Sequence, residues 1–194
     1  AYPLLIERYI IVRTETQIAV PHLPAAFVFL CFVHLRDLHY GPLMPLSIIQ
    51  DVVKRANRIP HDLTVCTGDY VHERNATGQI EAVWPVLSQL SAPLGVASVL
   101  GNHDHWAGTE ASLHWLKASG QNWRHRAMPV NRAGQRLWLV GAGDLWEDHR
   151  ALDTLLAAVP EDECRIVLAH NPDSADTEYE SRVDLMISGH THGG

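Results

Sequence analysis

Apolar residues along the chain follow two periods, one typical of buried strands and one typical of helices. Short continuous apolar runs bounded by Gly, Pro or polar clusters predict strands, because a strand buried on both faces needs no polar alternation. Such runs lie at 27–33, 63–67, 95–100, 165–169 and 184–188, with further β-like runs at 8–20, 126–130 and 137–142. The chain therefore carries the repeated strands of a sheet-based fold.

Segments with helical spacing separate these strands. The first helix follows Ser47, which we expect to cap it with Gln50 three residues later. Its apolar face is formed by Ile48, Ile49, Val52, Val53 and Ala56. A second helix is predicted at 77–90, where Pro85 is expected to kink or split it. Shorter helices are predicted at 110–118 and 151–159.

The alternation of strands and helices predicts an α/β fold with helices packed around central sheets. A length of 194 residues indicates one domain, 1–194, with an N-terminal β segment at 1–26 and a core at 27–194. Apolar residues make up 46% of the chain and charged residues 19%, as in ordinary globular proteins. The net charge of −7 argues against a broad electrostatic attraction to nucleic acid, whose non-sequence-specific affinity comes largely from Lys and Arg neutralising phosphates. No specific nucleic-acid binding is expected, although a local basic patch is left open.

The cysteines and the longest apolar run bear on where in the cell the protein is located. Cys31, Cys66 and Cys164 lie within apolar runs, which favours buried thiols over a disulfide framework. The run at 25–33 is far shorter than the ~20 residues of a membrane-spanning helix. We expect a cytoplasmic or membrane-peripheral protein, with export left open because the chain begins at Ala rather than Met.

Residues that commonly bind metals follow five of the predicted strands directly. They are Asp37 and His39, then Asp69, then Asn102, His103 and Asp104, then His170, then His190 and His192. If these strands lie side by side and run the same way, all five loops meet at one edge of the sheet. Carboxylate oxygens and neutral imidazole nitrogens together suit Mn, Fe or Zn, whereas an all-oxygen set would indicate Mg or Ca.

The spacing within these loops adds a geometric expectation. Asp37 and His39 are two residues apart, as are His190 and His192, so on an extended backbone each pair points to one side. Gly68, Gly101 and Gly189 precede three of the groups and permit sharp turns and close backbone approach. Each pair alone is a weak signal, and the ordered set of five is strong.

The segments DLHYG, GDYVHERN, GNHD, HNPD and GHTHGG resemble the five motifs of the calcineurin-like metallophosphoesterase family. The resemblance runs from about Phe27 to the last residue. It is closest to a bacterial branch with SDLH, TGD, LGNHD, AHNPD and SGHTHGG motifs. Some members of that branch act on cell-envelope phosphates or nucleotide-linked lipid precursors.

The resemblance implies a centre with two divalent metal ions, Mn, Fe or Zn, with Mn expected to serve best in vitro. The first metal would be bound by Asp37, His39 and His192. The second would be bound by Asn102, His170 and His190. Asp69 would bridge both, since a carboxylate can hold two cations at the ~3.5–4 Å separation of such centres. A water shared by the metals would attack phosphorus in line.

The resemblance also implies roles for the two residues after Asn102. His103 would contact the substrate and either stabilise the transition state or protonate the leaving oxygen. Asp104 is expected to accept the other ring N–H of His103 and orient it. His105 and Trp106 are candidates for the wall of the substrate pocket, whereas His34 and His72 need no role.

By the same resemblance, the fold is a four-layer α/β/β/α sandwich, here lacking the C-terminal strands of its relatives. An exposed sheet edge would then be open to another chain, which allows an oligomer. Arg36 stands where the branch usually has Ser, and could contact phosphate or crowd the first metal.

The substrate class stays open between phosphodiesters, phosphomonoesters and pyrophosphates. We expect a small-molecule or lipid-linked phosphate, the latter with peripheral membrane association. The alternative is a catalytically weak or silent metal-binding scaffold of the same fold; such members typically lose metal ligands or the residue at His103, and this chain has them all.

Overall fold

Two β-sheets form the centre of the computed structural model, which describes residues 9–177 and 179–192. The first sheet is parallel, in the order β1-β2-β3, with strands β1 (Phe32–Leu35), β2 (Leu63–Cys66) and β3 (Val96–Ser98). The second sheet has the order β4-β5-β6-β7, with strands β4 (Arg126–Arg132), β5 (Gln135–Gly141), β6 (Arg165–Leu168) and β7 (Leu185–Ile187). Strands β4 and β5 form an antiparallel hairpin, and β5, β6 and β7 are parallel.

Helices connect the parallel strands. Their bounds are α1 (Leu46–Arg58), α2 (Thr77–Leu87), α3 (Asn102–Ala118) and α4 (Leu152–Leu156). Two short 3₁₀ helices lie at Ala25–Phe27 and Pro172–Asp176. Each element of the core predicted from the periodicity is present, with the differences in bounds given below.

Three apolar layers separate four layers of secondary structure. The helical side of the first sheet contributes Val33 and Cys66, which pack with residues of α1, α2 and α3. Between the sheets, alternate residues of β2 and β5 such as Val65 and Leu139 meet. On the outer face of the second sheet, Val140 packs with α4. This arrangement confirms the predicted α/β/β/α sandwich.

The predicted N-terminal β segment is wrong for the residues that the structure describes. Positions 10–20 contain no strand, and the first part of the segment, 1–8, lies outside the described residues. Val12 and Ile18 are exposed, at 73% and 59%. Strand propensity without a neighbouring strand and a buried face does not form a sheet.

The apolar run at 27–33 also divides differently from the prediction. Phe27 is buried between the sheets but belongs to a 3₁₀ helix, and β1 begins only at Phe32. Phe29 adopts a left-handed φ of 63° and is 94% exposed, so it interrupts the run. A continuous apolar run therefore spans a turn as well as a strand.

The helix boundaries differ from the predictions at two prolines. Helix α1 begins after Pro45 with no side-chain cap, so Ser47 lies inside the first turn and does not cap it. The fixed φ of proline suits a position just before a helix. Pro85 does not split α2, because it lies in the last turn, where its missing N–H removes one helical hydrogen bond. The helix ends at Leu87 rather than at 90.

Helix α3 begins eight residues earlier than predicted, at Asn102 rather than 110. Gly108 has non-helical backbone angles and divides the helix. The part before Gly108 is too short to show a helical apolar period, so it was not predicted. A Cβ at this glycine would lie 2.8 Å from Thr77 Cγ2, so α2 and α3 approach closely here. Helix α4 is shorter than predicted, at 152–156 instead of 151–159.

The last strand of the second sheet lies at its edge. In the described part of the chain, β7 has β6 as its only strand neighbour. Within the same residues, no helix has the length and apolar character needed to cross a membrane.

We expect Leu139→Ala, in the layer between the sheets, to lower the free energy of unfolding by about 2–5 kcal/mol, because Leu139 is fully buried and the change leaves a cavity. Leu43→Ala is the matched control, since Leu43 is 59% exposed. It should change stability by no more than about 0.5 kcal/mol. Urea denaturation of both variants tests this, and equal losses would contradict the assignment of the core.

Candidate metal centre

The metal-type residues come from the carboxyl ends of strands in both sheets. Asp37, Asp69 and Asn102 follow β1, β2 and β3, whereas His170 and His190 follow β6 and β7. The expectation that all five loops share one sheet edge is therefore wrong. The loops still meet, because the sheets pack face to face with these ends together: His190 N donates to Asp37 Oδ1 at 2.9 Å.

One group of ligand atoms is formed by Asp37, His39 and His192, which lie within 4.8 Å of one another. The Nε2 atoms of the two histidines face each other at 3.1 Å, and their rings are stacked. Two nitrogens bound to one tetrahedral metal at about 2.0–2.1 Å are separated by about 3.3 Å. The spacing therefore fits a shared cation.

A second group is formed by Asp69, His170 and His190, again within 4.8 Å of one another. His170 Nε2 lies 3.1 Å from His190 Nδ1 and 3.1 Å from Asn102 Oδ1. His170 is fully buried and its Nδ1 lies 2.7 Å from the carbonyl oxygen of Thr67. Because that carbonyl can only accept, Nδ1 carries the proton and Nε2 faces the group.

Asp69 belongs to the second group and also faces the first. Its Oδ2 is 3.5 Å from His39 Nε2 and 3.3 Å from His170 Nε2, while its Oδ1 accepts the backbone N–H of His103 at 3.0 Å. One oxygen thus faces both sets of imidazoles. The donor set of carboxylates, an amide and imidazoles fits divalent Mn, Fe or Zn.

The backbone of the ligand residues is strained. Asp37, His39, Asp69, His190 and His192 have positive φ angles of 50°, 46°, 57°, 69° and 55°. The predicted extended backbone for the Asp-x-His and His-x-His pairs is therefore wrong. Residues in the left-handed conformation, each costing about 1–3 kcal/mol, bring these side chains together instead.

Gly101 is required by close approach rather than by its backbone angles. A Cβ there would lie 2.3 Å from Asp69 Oδ1 and 2.7 Å from the His170 ring. This supports the expectation that glycine permits crowding at the centre. Gly68 is required on both grounds, because its φ is 95° and a Cβ there would lie 2.3 Å from the backbone nitrogen of Gly101.

The predicted hydrogen bond between Asp104 and His103 is wrong. Asp104 Oδ2 accepts the backbone N–H groups of Asp69 and Gly101 at 2.8 and 2.9 Å, and Oδ1 accepts that of Tyr70 at 2.9 Å. As the third residue of α3, Asp104 reaches back to cap the helix N-terminus, as acidic residues there commonly do. It holds the loops and does not reach the ring of its neighbour.

His103 is instead held by another residue of the second motif. Its Nδ1 lies 2.6 Å from the carbonyl oxygen of His72. Since a carbonyl can only accept, Nδ1 must carry a proton, and Nε2 is the nitrogen available for other contacts. The orienting partner predicted to be a carboxylate is thus a backbone carbonyl.

The electrostatics of the centre set its buried groups in different protonation states. Burial, opposed in part by the Asp69 carboxylate, lowers the pKa of His39 to about 4. Burial also acts to lower the pKa of His170, but the hydrogen bond and charge of Asp69 outweigh it and raise that pKa to about 9. Burial and the charge of Asp69 raise the pKa of Asp104 to about 7, against donation from backbone N–H groups. A cation at the second group would therefore displace a proton from His170.

Several residues near the centre were missed or misplaced by sequence reasoning. His72 Nδ1 lies 3.5 Å from His39 Nδ1, and His39, His72 and His103 form a third group with ligand atoms within 4.8 Å. The position of His72, three residues after Asp69, was the sequence signal that could have placed it near the centre. His105 does not line the centre, because its buried ring faces Asp148 at 3.5 Å.

Two tryptophans flank the centre. Trp106, a predicted pocket residue, has its ring 4.7 Å from that of His103. Trp146 was not singled out by sequence reasoning, and its ring lies 4.7 Å from that of His190. Trp146 belongs to none of the five motifs. It lies in the loop that follows β5 of the second sheet.

The family model described as Calcineurin-like phosphoesterase matches residues 32–194, which include all seven predicted ligands. The chain belongs to the calcineurin-like phosphoesterase family. Membership confirms the predicted family.

Individual proteins with similar sequences or folds are consistent with this family assignment. Over 165 residues the chain is 36% identical to Phosphodiesterase YaeI of Escherichia coli (strain K12), covering 82% of this chain and 59% of that protein. Over 196 residues it is 30% identical to the uncharacterized metallophosphoesterase YkuE of Bacillus subtilis (strain 168), covering 100% of this chain and 68% of that protein. The crystal structure of TT1561 of Thermus thermophilus shares the fold, with a TM-score of 0.52 and 14% identity over 79% of this chain and 71% of that one.

Gly101→Ala should weaken divalent-cation binding by about 10–100-fold, because the new methyl group displaces Asp69 and His170. Calorimetric titration of the metal-free protein with Mn²⁺ measures this. Gly78→Ala is the matched control, since a Cβ there meets no atom within 4 Å. Unchanged affinity in Gly101→Ala would show that the close approach is not needed.

Arg36 contacts a metal-type residue rather than standing free, because its Nη1 donates to Asp37 Oδ2 at 2.6 Å. A positive charge there competes with a cation for the carboxylate. We expect Arg36→Ser to tighten Mn²⁺ binding by up to about 10-fold in calorimetry. Arg55→Ser, which removes an exposed pair with Asp51, should have no effect. If Arg36→Ser bound Mn²⁺ equally or more weakly, the idea that Arg36 crowds the first metal would be contradicted, and a contact between Arg36 and phosphate would be favoured.

Proposed function

We propose that this chain hydrolyses a phosphoester at a centre that holds two divalent cations. The observation that carries the proposal is the position of Asp69, whose Oδ2 lies within 3.5 Å of an imidazole nitrogen from each ligand group. When bound, the cations would acidify a shared water and neutralise phosphate oxygens. The residues of the chain supply the binding, the spacing and the proton handling.

The ligand assignment follows the two groups in the structure. Asp37, His39 and His192 would hold the first cation. Asn102, His170 and His190 would hold the second, and Asp69 would contact both. The distances of 3.1 Å between facing nitrogens in each group support this division. Mn, Fe and Zn each accept this donor set, and Mn²⁺ is the choice for assays.

His103 is the residue proposed to contact the substrate. Its Nδ1 is fixed by the His72 carbonyl oxygen, so its ring orientation is set before substrate binds. Its Nε2 is then the atom that can bind a phosphate oxygen or deliver a proton to the leaving oxygen. Asp104 takes no part in that step, since both its oxygens accept backbone N–H groups.

A phosphodiester is the substrate class that we favour. The name of the Escherichia coli relative, a phosphodiesterase, supports this class. The net charge of −7 favours a small-molecule or lipid-linked phosphate over nucleic acid. Lipid-linked substrates would require peripheral membrane association.

We expect about two metals per chain by elemental analysis after loading with Mn²⁺, with hydrolysis of bis-p-nitrophenyl phosphate. His103→Ala should lower kcat by about 10²–10⁴-fold while metal stays bound, because it removes the proposed proton donor. Asp69→Asn should lose metal and activity together. His114→Ala, an exposed residue of α3, is the control and should match the wild type.

The outcomes separate the enzyme from a silent scaffold. Turnover of the diester above the mono ester would support a diesterase. Metal binding without turnover of either ester would contradict hydrolysis and leave a metal-binding scaffold. A chain that binds no metal would contradict the proposed centre itself.

A further inference from the structure

An exposed aromatic side chain stands beside the metal centre. Trp146 is 58% exposed, and its ring meets that of His190 edge-to-face, with centroids 4.7 Å apart and an interplanar angle of 84°. A single exposed apolar side chain is ordinary on a protein surface, so the exposure of Trp146 matters here through its place beside a candidate metal ligand. Its position next to a ligand residue makes a bound molecule the natural cover.

The loop that carries Trp146 is firmly held. Asp144 is buried, and its Oδ1 accepts the backbone N–H groups of Trp146 and Glu147 at 3.0 Å each. Asp148 pairs with Arg124 through two contacts of its carboxylate. The exposure of Trp146 is therefore a property of an anchored loop and not of a loose one.

A second indole, that of Trp106, is joined to the same loop. Trp106 Nε1 donates to Glu147 Oε1 at 2.7 Å, and Glu147 directly follows Trp146. The Trp106 ring lies 4.7 Å from the His103 ring, and the guanidinium carbon of Arg74 lies 3.7 Å from the Trp106 ring centroid. An indole with a stacked guanidinium is a flat, polarised surface that suits planar groups.

We propose that Trp146, with Trp106 and Arg74, binds a flat aromatic group attached to the phosphate of the substrate. This inference rests on the proposed phosphoesterase function and narrows its substrate class. A long acyl chain is the less suitable ligand, because two charged groups contact the Trp106 indole: Glu147 accepts its N–H, and the Arg74 guanidinium lies over its ring. The net charge of −7 favours a small aromatic ester over a polymer.

The test compares two ligands that differ only in the organic group, phenylphosphonate and methylphosphonate, neither of which is a hydrolysable ester. Calorimetry on the Mn²⁺-loaded protein should show about 10-fold tighter binding of the phenyl compound, the order expected for stacking of one aromatic group. Trp146→Ala should bring the ratio of the two dissociation constants close to 1, whereas Trp146→Phe should keep most of it. Phe29→Ala should keep the wild-type ratio, because Phe29 is 94% exposed but precedes β1, away from the carboxyl end.

The outcomes distinguish failure of the aromatic site from failure of the proposed function. Equal affinity of the two phosphonates in the wild type, or an unchanged ratio in Trp146→Ala, would overturn the aromatic site while hydrolysis stands. A protein that takes up no Mn²⁺ would overturn the proposed function, and the aromatic site would fall with it. A ratio that depends on Trp146 and not on Phe29 would establish the site.

Discussion

The buried carboxylate of Asp104 joins the loop after β2 to the loop after β3. Its two oxygens accept backbone N–H groups from Asp69, Tyr70 and Gly101. Taking a carboxylate out of water costs several kcal/mol, and charge-assisted bonds from three donors at a helix N-terminus offset that cost. The same bonds fix the backbone of Asp69, whose side chain faces both ligand groups. The spacing of the candidate ligands thus depends on a residue that belongs to none of the ligand groups.

A ladder of backbone bonds continues past the ends of β1 and β2 and supports the strained ligand residues. Asp37 N donates to Gly68 O, His39 N to Asp69 O and Tyr40 N to Tyr70 O, at 2.9–3.1 Å. These bonds keep the first two loops in register although Asp37, His39 and Asp69 have left-handed backbone angles. Strain that would relax in an isolated loop is therefore held by its neighbour, as is common where geometry must be exact for chemistry.

The parts of this structure that sequence could predict depend on local pattern. Strand ends were identifiable because short apolar runs stop where Asp, His and Gly begin. The ordered motifs then predicted the layered fold and the candidate ligand residues that the structure brings together. Contacts distant in sequence were not identifiable in this way: Asp104 was paired with adjacent His103, whereas its partner Asp69 lies 35 residues earlier. The strand predicted at 8–20 failed for a related reason, because in the described part from 9 onward no neighbouring strand supplies hydrogen bonds. Trp146 lies beside the centre through the pairing of strands in one sheet, which a linear pattern does not encode.

Division of the ligands between two sheets makes the apolar layer between them part of the metal centre. Asp69 follows the first sheet and His170 the second, yet Asp69 Oδ2 and His170 Nε2 are 3.3 Å apart. Val65, Leu139 and Ile166 fill the space between the sheets and set their separation. Metal-ligand distances tolerate only about 0.2 Å, and close-packed interiors transmit small shifts rather than absorb them. A cation that binds ligands from both sheets must in turn favour the state in which the sheets are packed, so metal affinity and folding stability are linked through that layer.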